Sequence, residues 1–224
     1  MTILAIDTCA NLCAAALFGK DGVLRSRACE DIGRGHGARL LAVVDEALSG
    51  ASTALSDLSR VIVTVGPGSF TGIRVGVATA RGYGVALRIP VNAVTTFALM
   101  NLQTRAEQAC SSETVIAIAG GRGQAFVMRY AKDGGEMGSP ASIELENASS
   151  VELPEGAVLV GNAAHLLDPK KTRQHALAEC ATGDISFACH AAQLFPREPE
   201  PLYIRAADAK PQSKFALPRM RVET

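Results

Sequence analysis

A chain of 224 residues is long enough for one large domain or two small ones around a real hydrophobic core. With 48% hydrophobic and 20% charged residues it is not a disordered polymer, and a formal net charge of zero excludes a protein that grips nucleic acid unaided through a broad basic surface. Six cysteines without a C-x-x-C pair, and four histidines without H-x-x-x-H or H-E-x-x-H spacing, give a zinc site no support.

The chain opens directly into an apolar run, residues 3–7, that predicts a buried strand. It has no basic leader and no stretch of the ~18 apolar residues needed to cross a bilayer. The expectation is a cytoplasmic protein with no membrane contact, whose reduced thiols serve as small core residues. Residues 13–18 and 23–28 read as two further strands around a turn at 19–22, an antiparallel meander. His36, Leu40, Leu41, Val44, Ala47 and Leu48 then fall on one helical stripe, and a short helix fits 54–59. A β-branched strand at 61–65 runs into a Gly-rich turn and a helix to about residue 87. A strand at 89–94 follows, then a helix at 97–110 that Thr95 or Thr96 can cap. The pattern restarts with strands at 114–119 and 124–130, a weaker one near 141–145, and another at 157–160. Helices are expected from 163 and over 188–195. This repetition predicts a duplicated α/β architecture with its boundary near 100–112. From residue 196 periodicity stops, which reads as an extended tail packed on the surface or on a partner. Residues 201–224 hold five basic side chains (Arg205, Lys210, Lys214, Arg219, Arg221) against two acidic ones (Asp208, Glu223), a net of +3 that reads first as a solvated tail.

The run Gly66-Pro67-Gly68-Ser69-Phe70-Thr71-Gly72-Ile73-Arg74-Val75-Gly76 joins strand to helix. Gly66 and Gly68 permit positive φ or close approach, Pro67 fixes the backbone between them, and Ser69 or Thr71 can cap the helix. The free N–H groups of a helix start suit an anion. Against a nucleotide site, the run lacks the Lys of a Walker loop, and its glycine spacing is one residue too long for a dinucleotide fingerprint. It reads equally as a tight turn whose glycines allow close packing. Asp7-Thr8, at the end of the first strand, occupies the place where kinases of the actin and Hsp70 type keep an acidic residue. Yet the turn from Asp7 to Cys13 has no glycine to bring backbone N–H groups to a phosphate, so Asp7 can equally hold the turn or Thr8. The helix after the loop carries Gly72, Gly76, Gly82 and Gly84, each costing about 1 kcal/mol relative to Ala, which implies a wanted close approach within the core or across a subunit interface. Arg74 can bind an anion or a partner carboxylate, or simply pack its stem on a neighbour. No nucleophile–base pair stands out.

Ile6-Asp7-Thr8, His36-x-x-x-Leu40-Leu41, the Gly66–Gly76 run and Pro201-Leu202-Tyr203-Ile204-Arg205-x-x-Asp208-Ala209 together resemble the TsaB (YeaZ) family over nearly the whole chain. The resemblance implies an actin-like (ASKHA) α/β fold in two lobes, each a mixed sheet with flanking helices, over residues 1–103 and 104–224. It implies a non-catalytic subunit that binds the catalytic TsaD in transferring a threonylcarbamoyl group to N6 of the adenosine beside the anticodon of tRNA. A TsaE ATPase, tRNA held through the complex, and a homodimer when TsaD is absent belong to the same picture. No cofactor is expected for this chain itself, with room for ATP or ADP in the complex. The partner and dimer surface is expected on His36, Leu40, Leu41, Val44, Phe70, Ile73, Arg74, Val77 and Ala80. One departure is Ala119, where the family places Asp; Arg122 is the nearest substitute. The rival expectation is an ATP-dependent phosphotransferase or ATPase of the same fold, using Asp7 and Thr8 at the metal and Gly66, Gly68 and Ser69 at the phosphates. A peptidase is a third and thinner reading.

Overall fold

In a computed structural model that describes residues 2–204, the chain builds two five-stranded mixed sheets. Strands β1 (Thr2–Asp7), β2 (Leu12–Gly19) and β3 (Leu24–Asp31) form the predicted antiparallel meander. Helix α1 (His36–Gly50) leads to β4 (Leu58–Thr64), α2 (Phe70–Leu87) and β5 (Val91–Val94). β4 lies parallel to β1 and β5 parallel to β4, giving the order β3-β2-β1-β4-β5. Helix α3 (Thr96–Gln108) crosses to the second sheet. There β6 (Thr114–Gly121), β7 (Gln124–Tyr130) and β8 (Glu136–Glu144) repeat the meander. β9 (Val158–Val160), the single turn α4 (Ala164–Leu167) and β10 (His175–Ala176) complete the order β10-β9-β6-β7-β8, and α5 (Ala188–Leu194) follows.

Both faces of the first sheet are covered, so its central strands read as unbroken apolar runs and not as an alternation. Leu4, Ile6, Val61 and Val63 point to α1 and α2. Ala5, Ile62 and Val94 point the other way, to α3 and α5. α3 serves both lobes: Ala98, Leu99 and Leu102 pack on the first sheet, Phe97 and Met100 on Ile116, Ile118 and Met128 of the second. Arg105 ties the end of α3 to the second lobe by donating to the carbonyls of Cys110 (3.1 Å), Lys132 (2.8 Å), Ser112 (3.3 Å) and Ala131. The segment after α5 returns to the first lobe. Arg197 pairs with Ala93 backbone to backbone, and the Leu202 N–H donates to Val65 at 2.8 Å.

Several elements differ from expectation. The helix expected at 54–59 is one 3₁₀ turn, Leu55–Asp57, because the Asp57 carboxylate folds back on the Ala54 N–H (3.0 Å) and Leu58 is buried as the first residue of β4. β8 starts five residues before the expected run; an edge strand tolerates its Pro140 and the left-handed Gly138. The helix from 163 stops after one turn because Pro169 disfavours helical backbone at Asp168. Among the described residues no helix is long and apolar enough to cross a membrane. The basic tail, with Arg205, Lys210, Lys214, Arg219 and Arg221, lies outside the described residues.

Candidate functional site

β4 ends at the Gly-rich turn, and the turn is fastened on both sides. The carbonyls of Gly66 and Pro67 accept from the Thr96 N–H (2.8 Å) and hydroxyl (2.9 Å) at the start of α3. Gly66 has φ +106°, a conformation a side chain would strain, and the Gly66–Pro67 peptide is cis. A Cβ on Gly68 would overlap the Cys9 carbonyl, so the turn lies directly on the β1–β2 hairpin. The Ser69 N–H donates to that carbonyl at 2.5 Å, and the Ser69 hydroxyl caps α2 by accepting from the Gly72 N–H at 3.2 Å. Thr8, fully buried, donates from its hydroxyl to the Gly72 carbonyl at 2.7 Å.

Asp7 completes the joint. Its carboxylate is 2% exposed and accepts from the Cys9 N–H (2.8 Å) and the Thr182 hydroxyl (2.6 Å). Burial raises its pKa above the ordinary carboxylate value, against the pull of those hydrogen bonds. All five residues expected at a nucleotide, Asp7, Thr8, Gly66, Gly68 and Ser69, are therefore brought together. Their hydrogen bonds go to Cys9, Gly72, Thr96 and Thr182, all within the chain. Among the described residues no three His, Cys, Asp or Glu side chains are placed to share a metal ion. Two surface grooves of about 470 and 460 Å³ lie against Arg173 in the second lobe, and none of these five residues lines either.

The residues expected at a partner surface divide into two sets. His36, Leu40, Val44, Ile73, Val77 and Ala80 are buried against the chain's own first sheet; Leu41, Phe70 and Arg74 are exposed. Apolar periodicity marked a covered face, and the cover for those six is the sheet. The helical glycines also find their neighbours within the chain. Gly72 meets the Thr8 backbone, and a Cβ on Gly76 would stand 2.5 Å from the Thr8 hydroxyl. One on Gly84 would stand 2.5 Å from Val91, while Gly82 faces open space.

On the outer side of α2, the guanidinium of Arg74 lies 3.7 Å from the Phe70 ring centroid, and its Nε donates to the Tyr203 hydroxyl at 2.8 Å. The Phe70 and Tyr203 rings are 5.6 Å apart. Tyr203 belongs to the returning segment, which runs beside α2 from Glu200, paired with Arg81 at 3.5 Å, to Tyr203. Sequence reasoning picked out Tyr203 only within a motif, and it missed Thr96 as the fastening of the loop and Thr182 altogether. Thr182 has one local signal, the adjacent Gly183, whose Cβ would come 2.6 Å from the α3 backbone. At Ala119, Asn162 supplies the polar contact, accepting from the Ala119 N–H at 2.9 Å.

Residues 28–198 match the family model described as TsaD, tRNA N6-adenosine threonylcarbamoyltransferase. An uncharacterized protein of Mycobacterium tuberculosis (strain H37Rv) is 32% identical over 217 residues, covering 94% of each chain. The tRNA threonylcarbamoyladenosine biosynthesis protein TsaB of Escherichia coli is 34% identical over 134 residues, covering 59% of this chain. The matched stretch spans only 56% of that E. coli protein and 45% of an uncharacterized Mycobacterium leprae relative. YeaZ from Pseudomonas aeruginosa superposes with a TM-score of 0.75 at 25% identity, over 90% of this chain and all of that one. The (R)-2-hydroxyglutaryl-CoA dehydratase component A of Acidaminococcus fermentans shares the fold alone, with a TM-score of 0.51 at 9% identity over 86% of this chain and 98% of that one. The two mixed sheets and these neighbours bear out the two-lobed actin-like α/β architecture.

Proposed function

The chain belongs to the TsaB (YeaZ) family, within the wider TsaD family, and from that premise we propose that it acts in tRNA threonylcarbamoyladenosine biosynthesis as a non-catalytic subunit that binds TsaD. The observation that carries this reading is the closed joint between the Gly-rich turn and the β1–β2 hairpin. An actin-like phosphotransferase needs an ionised carboxylate and free N–H groups facing its nucleotide. Here the Asp7 carboxyl is buried between Cys9 and Thr182, and the Ser69 N–H is taken by Cys9. The same segment instead starts α2 and sets Phe70 and Arg74 on the outside, and on α1, whose Gly37 approaches Val75 of α2, Leu41 is exposed as well.

In this reading the docking face is the exposed side of α1 and α2, carried by Leu41, Phe70 and Arg74. The six buried residues support it from beneath. TsaE and tRNA join through the complex, a second copy of the chain takes the face when TsaD is absent, and the setting is the cytoplasm. The chain requires no cofactor of its own.

The test is co-purification with the cognate TsaD, followed by modification assays with and without this chain. Full modification in its absence would overturn the reading. So would calorimetry showing tight binding of ATP and magnesium by the purified chain that disappears in Asp7→Ala, which would favour the phosphotransferase.

A further inference from the structure

Arg74 is held in place before anything binds to it. The Phe70 ring lies under its guanidinium and the Tyr203 hydroxyl accepts from Nε, with the Tyr203 ring centroid 5.8 Å away. That leaves the four N–H bonds on its two terminal nitrogens, and among the described residues no carboxylate pairs with them, whereas Arg25, Arg27 and Arg39 each hold one. A guanidinium fixed in advance loses little rotamer freedom on binding and presents its planar fork to a carboxylate.

The surroundings select the kind of partner. Phe70 is 57% exposed, Tyr203 49% and Leu41 57%, and the outer line of α2 continues through Ala78 to Val85. One cation framed by exposed aromatic and aliphatic side chains has the composition of a protein–protein hot spot. A surface for a phosphate backbone needs several cations, and the next one along α2, Arg81, is already paired with Glu200. We infer that Arg74, positioned by Tyr203, is the charged anchor of the docking face and seats a carboxylate of the partner protein as a bidentate pair. This rests on the partner-subunit reading above and adds to it a named contact, together with a role for the returning C-terminal segment. Tyr203 is a positioning residue: it acts through Arg74.

The experiment measures affinity for the cognate TsaD at low and high ionic strength. The full-length variants are Arg74→Gln, Tyr203→Phe, their double variant, and Leu41→Asp. Arg74→Gln is expected to weaken binding by at least about tenfold and to flatten its salt dependence. Tyr203→Phe keeps the ring and loses the hydroxyl, so a loss of a few-fold is expected with thermal stability unchanged. The double variant should be no weaker than Arg74→Gln alone. Wild-type affinity and salt dependence in Arg74→Gln would overturn the inference, as would a Tyr203→Phe effect that persists undiminished when Arg74 is already Gln. If Leu41→Asp abolishes binding while Arg74→Gln does not, the docking face stands and the anchor falls. If neither variant weakens binding, the face itself is misassigned. Loss of tRNA retention by the complex in Arg74→Gln, with TsaD binding intact, would assign the guanidinium to a phosphate and overturn the proposal.

Discussion

Replacing a helical glycine by alanine ordinarily stabilises a helix by about 1 kcal/mol, yet Gly76→Ala is expected to destabilise this chain. The new methyl would sit 2.5 Å from the Thr8 hydroxyl, which is fully buried and donates to the Gly72 carbonyl. Forcing a methyl into a packed site costs about 2 kcal/mol, and losing the displaced hydroxyl's hydrogen bond costs about 1 more. Set against the helix gain, the net loss is about 2 kcal/mol, or roughly 4–8 °C in Tm for a chain of this size. Thr8→Ala alone removes the hydrogen bond and a buried methyl, a loss of about 1–2 kcal/mol. In the double variant the obstructing oxygen is gone, and the Thr8 Cβ lies at an ordinary 3.8 Å from the new methyl. The double variant should therefore be more stable than Gly76→Ala, within about 1 kcal/mol of the parent. Urea unfolding followed by circular dichroism reads this out. If the two losses simply add, the Thr8 hydroxyl is not what reserves position 76 for glycine. A bulky residue at Gly76 or Ala80 would likewise damage the fold before it tested any interface, so the docking variants belong at Leu41 and Arg74.

Gly82→Ala should do the opposite and raise stability by about 1 kcal/mol, because a Cβ there meets nothing within 4 Å; an unchanged or lower Tm would contradict this. Leu40→Ala should cost about 2–5 kcal/mol and Leu41→Ala less than about 0.5 kcal/mol, since one side chain is 1% exposed and its neighbour 57%; equal losses in urea melts would refute that division of α1. Burial raises the folded pKa of Asp7 above its ordinary 3.8, so the neutral acid is the form the fold prefers. The stability this gives is complete below the unfolded value and is lost as pH rises through the raised one. Asp7→Asn should flatten that decline as pH rises above the ordinary carboxylate value. An identical pH profile in parent and variant would show that the carboxyl does not titrate there.

Much of the first lobe was legible because its signals are local. The β-branched run 61–65, the Gly-Pro-Gly break and Ser69 are neighbours in sequence, and each dictates its own backbone. Which side of a helix meets what is not local. Leu40 and Leu41 both belong to an apolar stripe, yet a step of 100° carries the second away from the sheet, and Val43, buried, takes the place it was expected to hold. The partners of the site are remoter still. Thr182 lies 175 positions from Asp7 and Tyr203 129 from Arg74, and no spacing rule spans such intervals. The glycines of α2 were legible as a demand for close approach; that Thr8 is the approaching residue at Gly72 and Gly76, Val91 at Gly84 and nothing at Gly82 required the fold.

The returning C-terminal segment also sets a timetable. Ala93, at the edge of the first sheet, receives its backbone partner from Arg197, and Val65 receives its own from Leu202. Roughly 100 residues separate the first of these pairs, and at ~5–20 residues per second the ribosome needs on the order of 5–20 s to deliver the second half of it. During that interval the strand edge is unpaired, and Phe70 and Arg74 stand without Tyr203. In the partner-subunit reading proposed above, the nascent first lobe therefore emerges with Arg74 not yet positioned, and Tyr203 completes the arrangement when the returning segment is made.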